Sequence, residues 1–357
     1  MQKAIVIDEV GKPAISINRP IPQAGPSELL LRVTATSLNP ADQKTRDEGL
    51  FFKQSFQVLG HELAGEVIGI GKEAGPAKFQ LGDHIFAQGN FIPGQVLTDS
   101  GALQQYAVVN ASFAAKVQSA GLTDEEATTI PVCAIASFVA LFHSTGMALP
   151  IPPASTPASQ ATSEFLDTAI LIIGGGSNCG RFAIQFAKQV GFGRIITTAS
   201  ARNEIELKQL GATHIIDRHA GYEANIQQIR DITGDSLVHV FDTVNNAQEQ
   251  KLGLAVLSNT KKGCLITLNR IPEVRFSAAE IGPKTAGYEH KMTFGFSALY
   301  PEISKLFWER VASWVKEGAM RPLPFSTIQG LEPTTVNKIL DRYRDGQGQK
   351  VVINVRT

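Results

Sequence analysis

The sequence predicts an α/β protein with a β-rich N-terminal part and a doubly wound parallel sheet after it. Three observations predict this. Short β-branched runs between turn signals fill the first third. A strand, a triple glycine and a helix follow one another at 168–190. Strand–helix pairs then repeat to residue 268. Repeats of that length call for parallel strands with crossover helices, and a doubly wound sheet is the economical arrangement.

In order, apolar runs lie at 3–9, 28–38, 63–70, 84–87 and 103–109, with Gly25-Pro26, Gly75-Pro76 and Gly82-Asp83 among the turns between them. They predict a small barrel or sandwich. From residue 123 the pattern turns helical, with Thr123 as N-cap and Glu126 as its capping-box partner. The segment 149–163 (LPIPPASTPASQATS) cannot supply a core and reads as an exposed loop. Strand TAILII (168–173) leads through the glycine turn to a helix ending at 190, with Phe182, Phe186 and Val190 on one face. Strands at 194–199, 213–217, 237–244 and 263–268 alternate with helices at 203–210, near 223–232 and near 246–258. A helix near 301–317 carries Trp308 and Trp314, and the last strand, 349–355, is expected to return to the first domain. The expected division is 1–130 with 290–357, and 131–289.

Composition narrows the function. Of 357 residues 43% are hydrophobic and 18% charged, with 33 basic residues against 33 acidic. A nucleic-acid partner would call for a basic excess. The longest uncharged apolar stretch, from Ala127 to Phe142, is shorter than a membrane span needs and contains Pro131. The opening MQKAIVIDEV lacks the basic start and apolar core of a signal peptide. A cytoplasmic protein with no membrane or nucleic-acid partner is expected. Cys133, Cys179 and Cys264 lie far apart and form no CxxC, so disulfides are not expected.

ILIIGGGSNCGRFAIQFAK (170–188) carries the strongest chemistry. Glycines permit a tight turn and close backbone approach to a pyrophosphate, and the helix N-terminus adds positive potential. The spacing, Gly174-x-Gly176-xxx-Gly180, is one residue longer than the usual dinucleotide fingerprint. Its place between strand and helix makes the signal specific. An NAD site usually has an acid at the end of the next strand. Here ITTASARNE (196–204) puts Ser200 and Arg202 near that position, and both suit a 2′-phosphate. NADPH is the expected cofactor. Arg218, after the third strand, is a further candidate, and a solvated surface role stays open for both arginines.

The chain resembles the medium-chain dehydrogenase/reductase superfamily over nearly its full length. The resemblance rests on ATSLNPADQK (35–44), LGHELAGEVIGIG (59–71), FQLGDHIFA (79–87), SGALQQYAVV (100–109), GGGSNCG and GQKVVINV (348–355). It implies a GroES-like catalytic domain with an inserted Rossmann domain and an active site in the cleft. Zinc alcohol dehydrogenases have a Cys where this chain has Asn39, the His matched by His61, and a Cys matched by Cys133. Asn is a poor zinc ligand, the relay hydroxyl falls at Ala41, and residues 1–132 hold no cysteine for a structural zinc lobe. The closer resemblance is to zinc-free quinone reductases and to fungal trans-acting enoyl reductases, which partner polyketide synthases. NPADQKTRDEG (39–49), LALPIPPASTPAS (148–159), DSGALQQY (99–106) and KEGAMRPLPFSTIQG (316–330) carry it. The His-Glu pair in GHELAGEV departs from the polyketide branch.

The resemblance implies hydride transfer to an activated C=C of a small apolar α,β-unsaturated substrate. Lys44 is the candidate to stabilise the enolate or orient the carbonyl. Asn39 and Tyr106 are further candidate donors. Ser177, Asn178 and Cys179 join the glycines as expected cofactor contacts. The backbones of Val132 and Leu268 are expected to flank the nicotinamide, and Lys350 matches a basic residue that approaches the cofactor in relatives. Phe51, Phe52, Phe56, Phe294 and Phe296 are candidates for an apolar pocket. Rival readings are a zinc alcohol dehydrogenase using His61 and Cys133, and an NADPH-binding protein without catalysis. Monomer and homodimer both stay open, with a pairing strand expected near 291–296.

Overall fold

The computed structural model describes residues 1–75, 78–89, 98–153 and 163–355. Pro76 of the Gly75-Pro76 turn, residues 90–97 and the centre of the 149–163 segment lie outside the described residues. The chain divides into two compact units, Met1–Val132 with Phe296–Thr357, and Cys133–Gly295.

The first unit opens with β1 (Gln2–Ile7), β2 (Ile15–Arg19), β3 (Glu28–Leu38), α1 (Pro40–Glu48), β4 (Gln57–Val58), β5 (Glu62–Ile70), β6 (His84–Gln88), β7 (Tyr106–Asn110) and β8 (Ala114–Lys116). Short helices α2 (Val117–Ala120) and α3 (Asp124–Ala127) follow, and α4 (Pro131–Phe142) crosses the boundary. Thr123 and Glu126 cap α3 reciprocally. The stretch Asp124–Phe142 is long and apolar enough to cross a membrane by length and composition alone, but it is mostly buried inside the protein, as befits core helices.

The second unit is one parallel sheet with crossover helices: β9 (Ala169–Ile173), α5 (Asn178–Val190), β10 (Arg194–Ala199), α6 (Glu204–Leu210), β11 (His214–Asp217), α7 (Tyr222–Thr233), β12 (His239–Asp242), α8 (Lys251–Val256), β13 (Gly263–Thr267), α9 (Ala278–Ile281) and β14 (Tyr288–Met292). The strand order is β11-β10-β9-β12-β13-β14. The order reverses between β9 and β12, the position where open α/β sheets bind ligands. The unit runs to Gly295 because β14 pairs with β13.

The chain returns to the first unit through α10 (Pro301–Lys316), β15 (Phe325–Gln329), α11 (Pro333–Arg344) and β16 (Lys350–Asn354). There β16 pairs antiparallel with the end of β3. The first unit thus holds a three-stranded sheet, β2-β1-β4, and a seven-stranded one, β15-β16-β3-β5-β6-β8 with β7 on β3. One apolar core takes Ile5 and Ile7 from the first sheet, Leu31, Leu63 and Val351 from the second, and Val336 and Leu340 from α11.

Helix α1 follows from its cap. Asn39 is the N-cap, Pro40 stands at N1, and Asp42 Oδ2 accepts the Asn39 N–H at 2.7 Å. Its buried residues are Asp42, Gln43, Thr45 and Arg46. Arg46 reaches Asp341 on α11 at 2.7 Å and Asn337 at 3.2 Å. That polar inner face shows no apolar stripe in the sequence.

Candidate functional site

In the second unit the glycine turn is built as its sequence suggests. Gly174 sits at φ +82°, where an L side chain would be strained. The N–H groups of Gly174 and Gly175 donate to Thr198 Oγ1 (3.0 Å) and Thr198 O (3.1 Å) on β10. Gly174 therefore shapes the turn and does not offer its own N–H. Ser177 is the N-cap of α5, accepting the Gly180 N–H at 2.9 Å, and its hydroxyl lies 2.8 Å from Thr243 Oγ1 beyond β12. A methyl on Gly180 would stand 2.3 Å from Gly174 O and 2.7 Å from Gly175 Cα. The helix can approach the strand this closely because residue 180 has no side chain. Asn178 and Cys179 form the first turn of α5, and the Cys179 carbonyl accepts the Ser137 hydroxyl at 2.7 Å.

Three residues of this turn escaped the sequence reading. Thr243 ties the β12 end to Ser177. The Asn203 side chain lies over Gly176, where a methyl would meet its Nδ2 at 2.4 Å. Arg181 donates to the Gly176 carbonyl and holds Glu206 with two bonds, 2.7 and 2.9 Å. A strand-end threonine, an Asn after Arg202 and a first-turn Arg are weak signals without the fold.

The parallel register sets Ala199 beside Asp217, and the Arg218 N–H donates to Ala199 O at 3.1 Å. Ser200 and Arg218 therefore follow neighbouring strand ends. Arg202, exposed, sits in the 3₁₀ turn Ala201–Asn203 between β10 and α6. Glu204 begins α6 and pairs with Lys208 at 2.7 Å, so it does not take the acid's place at the β10 end.

Asp242 closes β12. It is fully buried, and Oδ1 accepts the N–H groups of Val244 (3.1 Å) and Asn245 (2.9 Å). Oδ2 has no hydrogen-bond partner among the described residues. Burial pushes its pKa up to about 6 from the 3.8 of a free aspartate. The folded state thus binds more protons between those values, and stability falls as pH rises through that window. Asp242→Asn keeps the Oδ1 acceptor and removes the buried charge. We expect it to raise stability at pH 8 by up to about 3 kcal/mol, with the gain shrinking towards pH 5. Denaturant midpoints at the two pH values check this, and a variant less stable at pH 8 would contradict it.

In the first unit the structure gathers Asn39, Glu62 and Lys350. Both charged side chains are 0% exposed, and Lys350 Nζ contacts Glu62 Oε1 directly. Asn39 spans the pair, donating from Nδ2 to Glu62 Oε1 (2.6 Å) and accepting from Lys350 Nζ at Oδ1 (2.8 Å). Glu62 also accepts from Ser37 Oγ (2.6 Å) and the Val132 N–H (2.8 Å).

Three of the expected site residues are held in or against this cluster. Lys350 is enclosed, with its ammonium held by a buried carboxylate, so it is not presented to a cofactor. Asn39 has both ends of its amide engaged inside the protein, so it is not a ready donor to substrate. Val132 has its backbone N–H committed to Glu62. Tyr106 is not brought to the cluster either. It pairs with Arg32 on β3, seven residues before Asn39, or about 20 Å of extended chain. Lys44 is half-buried on α1. Leu268 follows β13, its N–H donating to Asp242 O at 3.4 Å.

Phe51 and Phe296 pack edge to face, centroids 4.9 Å apart. Phe52 lies against the core, Phe56 is half exposed, and Phe294 falls in the second unit. Among the described residues no three His, Cys, Asp or Glu side chains group to hold a metal ion.

Fold and turn together define a two-unit protein of the dinucleotide-binding α/β class. Two family models match, an alcohol dehydrogenase GroES-like domain over residues 25–119 and a zinc-binding dehydrogenase domain over 179–290. The chain belongs to the medium-chain dehydrogenase/reductase superfamily, a family of oxidoreductases. It is similar to the dehydrogenase mokE of Monascus pilosus, 28% identical over 99% of this chain and 97% of that one. It is also similar to the trans-enoyl reductase phm4 of a Pyrenochaetopsis species, 27% identical over 99% and 96%. Among solved structures, the mycobacterial protein Rv1454c, in complex with NADPH, shares the fold, with a TM-score of 0.75 and 20% identity over 99% of this chain and 100% of that one.

Proposed function

We propose that the protein is an NADPH-dependent reductase that adds hydride to an activated C=C, of an enoyl, enone or quinone substrate, without zinc. The observation that carries the cofactor assignment is the end of β10. Ser200 and Arg202 follow that strand directly, the Arg218 backbone N–H bonds Ala199 O at its end, and no acid stands in the NAD-type position. The choice of C=C is supported by the likeness to trans-enoyl reductases over almost the whole chain. That likeness also supports a carrier-bound acyl chain of a polyketide synthase as the substrate class.

Bound NADPH supplies the hydride. The glycine turn with Gly176, Ser177, Asn178 and Cys179 would seat the pyrophosphate at the N-terminus of α5. Ser200, Arg202 and Arg218 would hold the 2′-phosphate. Lys44 remains the candidate to orient the substrate carbonyl. Zinc does not fit at Asn39, the first of the matched positions. Asn39 is engaged by Glu62 and Lys350, and the Glu62 charge is met by Lys350.

Product analysis tests the reaction, and titration tests the cofactor. NADPH should bind more tightly than NADH. Arg202→Ala and Arg218→Ala should each cut that preference by about 10- to 100-fold, the worth of a charge-assisted hydrogen bond. Equal affinity for the two cofactors, or stoichiometric zinc by metal analysis, would contradict the reading.

A further inference from the structure

We propose that Arg181 sets the nucleotide preference of the second unit by cancelling the charge of Glu206, an acid beside the glycine turn that would otherwise repel a 2′-phosphate; this rests on the NADPH reading above. Helix α6 starts straight after the 3₁₀ turn that carries Arg202 and Asn203, and its first turn holds two acids, Glu204 and Glu206. NAD sites place an acid at the strand end to bind the ribose hydroxyl. A phosphate monoester, with about two negative charges at pH 7, is repelled by an acid there. Neither acid of α6 stands at the strand end, but Glu206 is drawn to the turn.

The two acids are paired in different ways. Glu204 meets Lys208 along its own helix, and both side chains are about half exposed. Water and salt screen charges of that kind. Glu206 is held from another helix. Arg181, near the start of α5, donates from Nε to Oε1 (2.7 Å) and from Nη2 to Oε2 (2.9 Å). Its Nη1 donates to the Gly176 carbonyl. One guanidinium therefore joins the carboxylate to the turn itself. The Asn203 side chain, over Gly176, brings the start of α6 to the same place.

The pair does more than tie two helices. The Arg181 side chain is 13% exposed. A bidentate pair between arginine and a carboxylate fixes both partners, and a guanidinium keeps its charge in proteins. The Glu206 charge beside the turn is therefore cancelled before any nucleotide arrives.

The preference follows from electrostatics. Charge–charge energy falls only as the inverse of distance, so a bare carboxylate beside the turn is felt at a phosphate on the neighbouring strand end. Unpaired, Glu206 would oppose the pull of Arg202 and Arg218 on the 2′-phosphate. NADH carries a neutral hydroxyl there and would not be repelled. Arg181 removes the opposition. It acts through Glu206 and is a positioning residue, since its Nε, Nη1 and Nη2 are all engaged within the protein.

The test titrates the full chain and its variants with NADPH and with NADH, at low and at high salt, and reads the ratio of the two affinities. Arg181→Gln removes the charge and keeps a donor for the Gly176 carbonyl. It should cut the ratio by about 10- to 100-fold relative to the parent at low salt, and by less at high salt. Adding Glu206→Gln to it should restore the ratio, because the uncovered charge is then gone. Arg181→Lys, which keeps the charge, should hold most of the ratio, and Glu206→Gln alone should keep or raise it. Binding of NADH reports that a variant is folded. An Arg181→Gln protein with the parent's ratio would overturn the proposal. So would loss of both nucleotides together, which would make Arg181 a structural tie, and so would a double variant that keeps the ratio of the single one. A Glu206→Gln protein with a lowered ratio would overturn it independently of how the Arg181 variants fold. A parent that binds the two nucleotides equally would remove the NADPH reading itself, and the proposal with it.

Discussion

Lys350→Met should destabilise the protein by about 3–5 kcal/mol, the cost of leaving a buried charge without its partner. Glu62 and Lys350 are both fully buried and in contact. Removing the ammonium leaves the Glu62 carboxylate with hydrogen bonds from Asn39, Ser37 and the Val132 N–H but no opposing charge of its own. Adding Glu62→Gln removes the charge and keeps an oxygen to accept from Val132. The double variant should therefore recover most of the loss. Equilibrium denaturation of the three proteins measures this. A Lys350→Met protein that unfolds with the parent would show that the pair is not what holds this cluster.

Gly180→Val should lower NADPH affinity by about 100-fold or more, roughly 3 kcal/mol. A methyl at residue 180 would meet Gly174 O and Gly175 Cα at 2.3 and 2.7 Å. Both are backbone atoms of the turn itself, so the N-terminus of α5 must move away from the turn. The control is Gly348→Ala, where an added methyl meets nothing within 4 Å; it should bind NADPH like the parent. Fluorescence titration of the nucleotide compares them. Equal affinity of Gly180→Val and parent would remove the turn from the cofactor site.

The second unit was the most legible part of the chain. Its strands are buried apolar runs, its helices carry apolar faces such as Phe182, Phe186 and Val190, and its turn is marked by glycines. These are local signals, read within twenty residues. What stayed hidden depends on contacts distant in sequence. Glu62 and Lys350 are 288 residues apart, and neither shows in the sequence that the other neutralises it. The expectation of Lys350 at the cofactor rests on its match to a basic residue of relatives, and the sequence holds nothing that reveals its burial against Glu62. Helix α1 was missed because its buried face is polar, although Asn39-Pro40-Ala41-Asp42 carries a capping signature. The short strands β2 and β4 and the tail elements β15 and α11 also went unread. Strand β2 is largely exposed, and β4 has two residues. The edge strand lies at Tyr288–Met292, a few residues before the expected 291–296, and its residues are only partly buried, which weakens the periodic signal.

The central claim is that this protein reduces a carbon–carbon double bond with NADPH. The most direct measurement is mass spectrometry of products after incubation with NADPH and a panel of enones, α,β-unsaturated thioesters, quinones and ketones. The account predicts a product of an enone or thioester that has gained two hydrogens, lost its alkene and kept its carbonyl. A product with the alkene intact and the carbonyl reduced to an alcohol would contradict it.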